Sequence, residues 1–248
     1  MWENTKNPRA SLSAEQRIAF RRSKIDIKII KNESSDQGKY DLFQRLNTGG
    51  TPATEQEVRN CILIMQNKAM YKWLADSAEV EAFVHTIGLS DRLNEERYDL
   101  ELVLRFLIFK TIAESDMKEL KEKDLATFLT ERMIALSENK ALDLEKETEI
   151  FRLTFALLDS QLGDDAFPKY DSAKKRFTGG FSVSAYEAVA FSIGSKLSKN
   201  LKWVPSYNLR EKIASLWTEA DFKKNTGSGV SSGTRITKML PFSRKFFS

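Results

Sequence analysis

Residues 45–50 read RLNTGG and have the residue types that can bind a phosphate group. A guanidinium, a side-chain amide and free backbone N–H groups all donate hydrogen bonds to anions, and a following helix N-terminus adds partial positive charge. The candidate phosphate- or nucleotide-binding residues are Arg45, Asn47, Thr48 and Gly49, together with Arg59 in the next helix. The alternative is structural, because glycines at positive φ can end one helix while Thr54 and Glu57 cap the next. The residues alone leave both interpretations open.

A second glycine-rich stretch, residues 227–235, reads GSGVSSGTR. Small residues allow successive backbone N–H groups to surround an anion, and Arg235 and Lys238 follow on a predicted helix. A P-loop is excluded, because the terminal Gly-Lys-Ser/Thr is missing. If the stretch binds an anion, we expect a nucleic-acid backbone rather than ATP. The alternative is a flexible loop that precedes the last helix.

The last third of the chain is strongly basic. Lys and Arg total 39 against 35 Asp and Glu, a net charge of only +4. Residues 166–248 nevertheless carry 15 basic and 5 acidic residues, whereas residues 47–165 carry 14 and 24. Cationic side chains contact phosphates and exposed aromatic rings stack on bases. The candidate DNA-binding residues are Lys174, Lys175, Arg176, Arg235 and Lys238. The alternative is a solvated face whose interleaved aromatic residues belong to the core.

The rarest reactive residue types exclude several classes of site. Cys61 is the only cysteine and His85 the only histidine, so an intrachain disulfide, a multi-cysteine zinc site and an HNH nuclease are excluded by count. Asp26 and Lys28 match half of a metal-dependent nuclease site, but no neighbouring strand supplies the further carboxylate that Mg²⁺ needs. We therefore predict no metal site, and structural roles for Cys61 and His85.

No segment has the character of a membrane anchor. The longest strongly apolar stretch, residues 102–109, is interrupted by Arg105 and is far shorter than the ~20 residues that span a bilayer. The first 24 residues are polar and basic overall, without the apolar stretch of a signal peptide. We predict no membrane partner and a cytoplasmic location.

The hydrophobic pattern predicts a mainly α fold. Helix starts of the S/T-x-x-E/Q type occur at Ser13–Gln16, Thr54–Glu57 and Ser184–Glu187. Residues 24–31 alternate isoleucine with polar residues, which predicts one half-buried strand. Further helices are predicted at 40–46, 54–67, 98–115, 124–136, 142–162, 184–199 and 207–217, with loops at 163–165 and 178–180. The fold class is a multi-helical domain preceded by a short α/β fragment, and the lone strand implies partner strands elsewhere.

Residues 40–60, YDLFQRLNTGGTPATEQEVRN, resemble a known family signature. The signature is Phe-x-Arg-Ile/Leu-Asn-Thr-Gly-Gly…Gln-Glu-x-Arg-Asn, from the N-terminal family of GmrSD-type restriction endonucleases. The strand KIDIKII before it and RYDLELVLRFLIF after it, with Arg97, Glu101 and Arg105, are similar to that family in kind and order. The similarity covers residues 25–111, fades through the middle helices and returns weakly at 227–235.

The resemblance implies a ParB/sulfiredoxin-like α/β domain followed by helices. We therefore predict a C-terminal fragment of the α/β domain at 1–52, and a helical domain with a basic C-terminal third at 53–248. The family's Asp-Gly-Gln-Gln-Arg motif, associated with nucleotide binding or hydrolysis, is absent upstream of the signature, and so is its HNH domain. Glu15-Gln16-Arg17 looks similar to part of that motif but lies after the point where the motif occurs. We expect a separate N-terminal α/β portion to be required.

Three functional hypotheses follow. The leading one is a DNA-associated component of a bacterial restriction or antiphage defence system, with a phosphate or nucleotide pocket at the Arg45–Asn47 turn and DNA contact through the basic third. The alternative is a non-catalytic scaffold or protein-interaction module of a defence complex. The third is a nucleotide-dependent endonuclease or NTPase that uses a nucleoside triphosphate with Mg²⁺ and requires the missing N-terminal portion. The expected partners are DNA and an N-terminal α/β chain or nuclease subunit.

Overall fold

The computed structural model describes residues 11–24, 27, 53–227 and 229–248. The predicted phosphate-binding residues Arg45, Asn47, Thr48 and Gly49 lie outside these ranges, as do most of the predicted strand at 24–31 and the predicted helix at 40–46. The chain divides into two compact units, residues 1–39 and 40–248.

The first unit contains helix α1, Ala14–Arg22. Its predicted capping box is confirmed, because the Gln16 backbone N–H donates to Ser13 Oγ over 3.2 Å and Gln16 Oε1 accepts from the Ser13 backbone N–H over 2.9 Å. Two orphan donors at the helix start are thereby satisfied.

The described part of the second unit is built from helices, with one short hairpin between them. This confirms the predicted mainly α fold class. The helices are α2 Glu55–Gln66, α3 Lys68–Ala78, α4 Glu81–Ile87, α5 Asp91–Glu95, α6 Tyr98–Phe109, α7 Glu114–Glu122, α8 Leu125–Glu138, α9 Leu144–Leu162, α10 Val183–Lys199, α11 Leu209–Leu216, α12 Ala220–Thr226 and α13 Ser232–Phe246. Strands β1 Lys169–Asp171 and β2 Arg176–Thr178 pair antiparallel between α9 and α10. None of the helices in the described ranges combines the length and apolar character needed to cross a bilayer.

Helix α6 occupies the centre of the core and is buried on nearly all sides, as its sequence predicts. The Phe106 ring packs edge-on against Phe151 of α9, with centroids 5.3 Å apart. On another side α10 approaches closely at Gly194, where a Cβ atom would lie 2.6 Å from the Phe106 ring. The missing side chain therefore allows α10 to pack directly on α6.

The predicted helix at 98–115 is confirmed over 98–109 but is too long, because it ends at Phe109 and a second helix, α7, begins at Glu114. Helix α6 ends at Phe109, and the Arg244 guanidinium donates to the carbonyls of Phe109, Lys110 and Ile112 over 3.1 Å each. Arg244 is half-buried, and an arginine that donates to the unpaired carbonyls of a helix end stabilises that end.

The predicted capping box at Ser184 and Glu187 is wrong. Helix α10 begins two residues earlier than that pattern places its cap, because Ser182 Oγ accepts the backbone N–H of Ala185 over 3.3 Å. Glu187 is consequently an interior residue of α10 whose carboxylate is free to reach another helix. The capping box at Thr54 and Glu57 is confirmed.

Candidate functional site

Five charged side chains from four helices form a continuous line inside the helical unit, which we call the charge ladder. Its members alternate in sign: Arg59 of α2, Glu101 and Arg105 of α6, Glu187 of α10 and Arg235 of α13. Their side chains are between 1% and 13% exposed. The ladder therefore joins segments that are far apart in sequence.

The ladder is held by direct ion pairs between neighbouring members. Arg59 Nη2 lies 2.7 Å from Glu101 Oε2, and the other Glu101 oxygen accepts from Arg105. Arg105 Nη1 lies 3.0 Å from Glu187 Oε1. Arg235 forms a two-pronged pair with Glu187, at 2.7 and 3.0 Å. Paired, hydrogen-bonded charges are the form in which ionised groups are tolerated inside proteins.

Local helical geometry positions each member of the ladder. Glu101 and Arg105 are one turn apart on α6, so they lie on one face. Arg59 is aligned from within α2 by Gln56, whose Oε1 accepts from Arg59 Nε over 3.0 Å. Arg235 lies in the first turn of α13, which Ser231 begins by accepting the backbone N–H of Thr234 over 3.3 Å.

Three guanidiniums and two carboxylates give the ladder a formal charge of +1. Burial lowers the pKa of Arg59. Burial also acts to lower the pKa of Arg105, but Tyr98, Glu101 and Glu187 outweigh it and leave that pKa above its ordinary value. Arg105 Nε is buried without a hydrogen-bond partner in the described part of the chain. The hydrogen bonds that Arg105 does donate go to the carboxylates of Glu101 and Glu187.

The ladder gathers residues that sequence reasoning treated separately. Arg59, predicted to bind phosphate, is 1% exposed and paired with Glu101. Arg235, predicted to contact DNA, is committed to Glu187 at 13% exposure. Lys238 is exposed on α13. Glu187 was missed because its spacing from Ser184 matched a capping box.

A second group of predicted residues lies together on the surface, in the β1–β2 hairpin. We call Lys174, Lys175 and Arg176 the basic turn; all three are exposed. The turn is shaped by Asp171, whose Oδ1 accepts the backbone N–H groups of Ala173 and Lys174 over 2.9 and 3.1 Å. The Lys174 backbone N–H is the main cause that lowers the pKa of Asp171.

Contacts of Phe177 and Arg210 attach the hairpin to the helical core. The Phe177 ring is buried, and the Arg210 guanidinium of α11 lies over it at 5.2 Å from the centroid. Arg210 also pairs with Asp165 over 2.5 Å. Asp171 Oδ2 lies 3.7 Å from Lys174 Nζ, while Lys175 and Arg176 form no ion pair with any residue that the structure describes. The arrangement presents two unpaired cations and one loosely paired cation to solvent.

No family model, curated protein or solved structure matches the chain. The resemblance of residues 40–60 to the GmrSD-type family therefore stays a prediction. Four of the five ladder members lie in segments that carry that resemblance, namely Arg59, Glu101, Arg105 and Arg235. The fifth member, Glu187, lies outside those segments.

The histidine and the cysteine lie on different helices. His85 Nδ1 lies 2.5 Å from Asp159 Oδ1, which joins α4 to α9, and Cys61 is half-buried on α2. Burial raises the pKa of the Cys61 thiol. Among the described residues, no group of three or more His, Cys, Asp or Glu side chains could hold a metal ion.

Proposed function

We propose that the chain is a DNA-associated component of a bacterial restriction or antiphage defence system, and that it contacts duplex DNA through the basic turn. The observation that supports the DNA contact is the exposure of Lys174, Lys175 and Arg176 on a hairpin that is fixed to the core. Cations held in one place lose less conformational freedom on binding than cations on a flexible segment.

The basic turn supports this function better than the charge ladder does. The ladder arginines are paired with Glu101 and Glu187 and are largely buried, so a phosphate would have to displace a carboxylate from them. Lys175 and Arg176 need no such exchange. Phosphate contacts by lysine and arginine supply most of the affinity of proteins for nucleic acid.

The defence context is supported by the sequence resemblance. In this proposal the ladder is a structural centre that fixes α2, α6, α10 and α13 relative to each other. Helix α2 directly follows the predicted phosphate-binding turn, Arg45, Asn47, Thr48 and Gly49. A nucleoside triphosphate with Mg²⁺ at that turn, and an N-terminal α/β partner that completes the pocket, belong to the same proposal.

Fluorescence anisotropy with a labelled DNA duplex tests the proposal. The variant K174A/K175A/R176A removes the basic turn, and K68A/K118A/K140A removes three exposed lysines from the acidic middle of the chain. We expect the first variant to weaken duplex binding strongly and the second to leave it near wild type. Equal affinities for wild type and both variants would contradict the proposal. A stable oligomer of the chain in gel filtration that does not change when DNA is added would favour the scaffold hypothesis.

A further inference from the structure

A groove rich in aromatic and basic side chains lies at the meeting point of α11, α12 and α13. We call it the aromatic groove. Its volume is about 640 Å³, within the ~300–1,000 Å³ that is usual for ligand sites. The residues that define its chemistry are Lys212, Asp221, Pro241, Phe242, Lys245 and Phe246.

Two phenylalanine rings form one wall of the groove. Phe242 and Phe246 are one helical turn apart on α13, and their rings are stacked with centroids 5.6 Å apart and an interplanar angle of 23°. Phe246 has further neighbours, because Phe247 packs edge-on against it at 5.0 Å. In the described part of the chain Phe246 is the one aromatic partner of Phe242, which is half-buried, packs against the core and lines the groove with the rest of its surface.

Two lysines give the groove a positive charge. Lys212 Nζ lies 4.0 Å from the centroid of Phe246 and 5.7 Å from that of Tyr207, so the ammonium is held over aromatic faces rather than by a carboxylate. Lys245 is exposed. Neither lysine forms an ion pair with a described residue, and Asp221 is the single acidic side chain in the lining. The side chains of the lining therefore have a formal charge of +1.

We propose that the aromatic groove binds an unpaired stretch of DNA, with one base stacked on Phe242 and the adjoining phosphates beside Lys212 and Lys245. An aromatic face next to cations is the combination that single-stranded nucleic acid requires, since bases supply flat π-surfaces and the backbone supplies negative charge. Bases inside a duplex are already stacked on each other and cannot stack on the Phe242 ring. An acidic peptide could also pair with the two lysines, but its carboxylate side chains have no flat surface that stacks on a phenylalanine ring.

This inference rests on the proposed association with DNA. It adds a second site, the aromatic groove, and a second form of DNA, the single strand. The basic turn is expected to bind paired DNA through phosphates alone. The aromatic groove is expected to distinguish single strands through the base. The two sites can therefore be tested with separate variants and separate oligonucleotides.

The test measures binding of an oligothymidylate of about ten nucleotides, which suits a site of ~4–16 nucleotides. Phe242→Leu keeps an apolar side chain at this position but removes the ring, and Phe242→Tyr keeps the ring. We expect Phe242→Leu to weaken single-strand binding roughly 5- to 150-fold while duplex binding stays unchanged, because stacking contributes about 1–3 kcal/mol per base. We expect Phe242→Tyr to bind like wild type.

Two results would overturn the inference. One is single-strand affinity that is the same for Phe242→Leu and wild type. The other is displacement of the oligothymidylate by polyglutamate as effectively as by unlabelled oligothymidylate, which would show that charge alone is recognised.

Photocrosslinking with an oligonucleotide that carries 5-iodouracil gives an independent readout. Crosslinks to peptides that contain Phe242 or Phe246 support the groove, and crosslinks confined to the basic turn contradict it. The variant K174A/K175A/R176A separates the two proposals. If K174A/K175A/R176A keeps wild-type duplex affinity, the proposed function fails. The single-strand affinity of Phe242→Leu tests the aromatic groove independently of that result.

Discussion

Replacement of Glu187 by glutamine tests the structural role of the charge ladder most severely. The Glu187 side chain is 3% exposed and accepts hydrogen bonds from two arginines, Arg105 and Arg235. Glutamine has nearly the same shape, and its amide oxygen can still accept the bonds that one carboxylate oxygen accepts. The substitution therefore removes a charge with little change in packing.

The expected loss follows from the charge balance of the ladder. Three guanidiniums would face the single carboxylate of Glu101, so the formal charge would rise from +1 to +2. Arg105 would retain one partner carboxylate while its Nε already lacks a hydrogen bond. Breaking a buried ion pair by removing one partner costs about 3–5 kcal/mol. For a chain of this size, each 1 kcal/mol lowers Tm by about 2–4 °C, so we expect a decrease of roughly 6–20 °C.

Urea unfolding followed by far-ultraviolet circular dichroism measures the loss. The matched control is Asp76→Asn, which breaks the exposed Lys72–Asp76 pair at 2.6 Å and should cost less than about 1 kcal/mol. Adding Arg235→Met to Glu187→Gln returns the formal charge of the ladder to +1 and should recover part of the stability. A loss below about 1 kcal/mol for Glu187→Gln, or no recovery in the double variant, would refute the reasoning.

Two further predictions concern packing and pH. Gly194→Ala places a Cβ 2.6 Å from the Phe106 ring and should lower the free energy of unfolding by about 1–3 kcal/mol in urea titrations, whereas Gly180→Ala, with open space around it, should change it little. Burial raises the pKa of Tyr207 from 10 to about 12, so its contribution to stability is full below pH 10 and is lost as the pH rises towards 12. The free energy of unfolding of Tyr207→Phe should therefore fall less steeply between pH 10 and pH 12 than that of the wild type. The same pH dependence for both proteins would contradict the raised pKa of Tyr207.

Local signals in the sequence predict part of the helices, including α2, α6, α8, α9, α10 and α11, but not α3, α5, α7 and α12. The caps at Ser13 and Thr54 are confirmed because every atom of a capping box lies within four residues. The buried character of α6 follows from its apolar residues on several faces. The end of α6 could not be predicted in the same way, because the arginine that caps it, Arg244, is more than a hundred residues away in sequence.

The charge ladder was beyond prediction from local pattern for the same physical reason. Glu187 satisfies the spacing of a capping box, yet its carboxylate instead reaches Arg105 and Arg235 across three helices. The short β1–β2 hairpin was missed because three-residue strands produce little alternation. The exposure of Lys174, Lys175 and Arg176 is common to both alternatives that the composition left open, DNA contact and a solvated face, and the burial of the neighbouring Phe177 is what the second alternative predicts.

The salt dependence of duplex binding tests the central claim most directly. The logarithm of the association constant of the wild type should fall linearly with the logarithm of the salt concentration, and each lost phosphate contact should reduce the slope by about 1. We predict that K174A/K175A/R176A has a slope shallower by up to about 3, while K68A/K118A/K140A keeps the wild-type slope. Identical slopes for all three proteins would contradict the assignment of duplex contact to the basic turn.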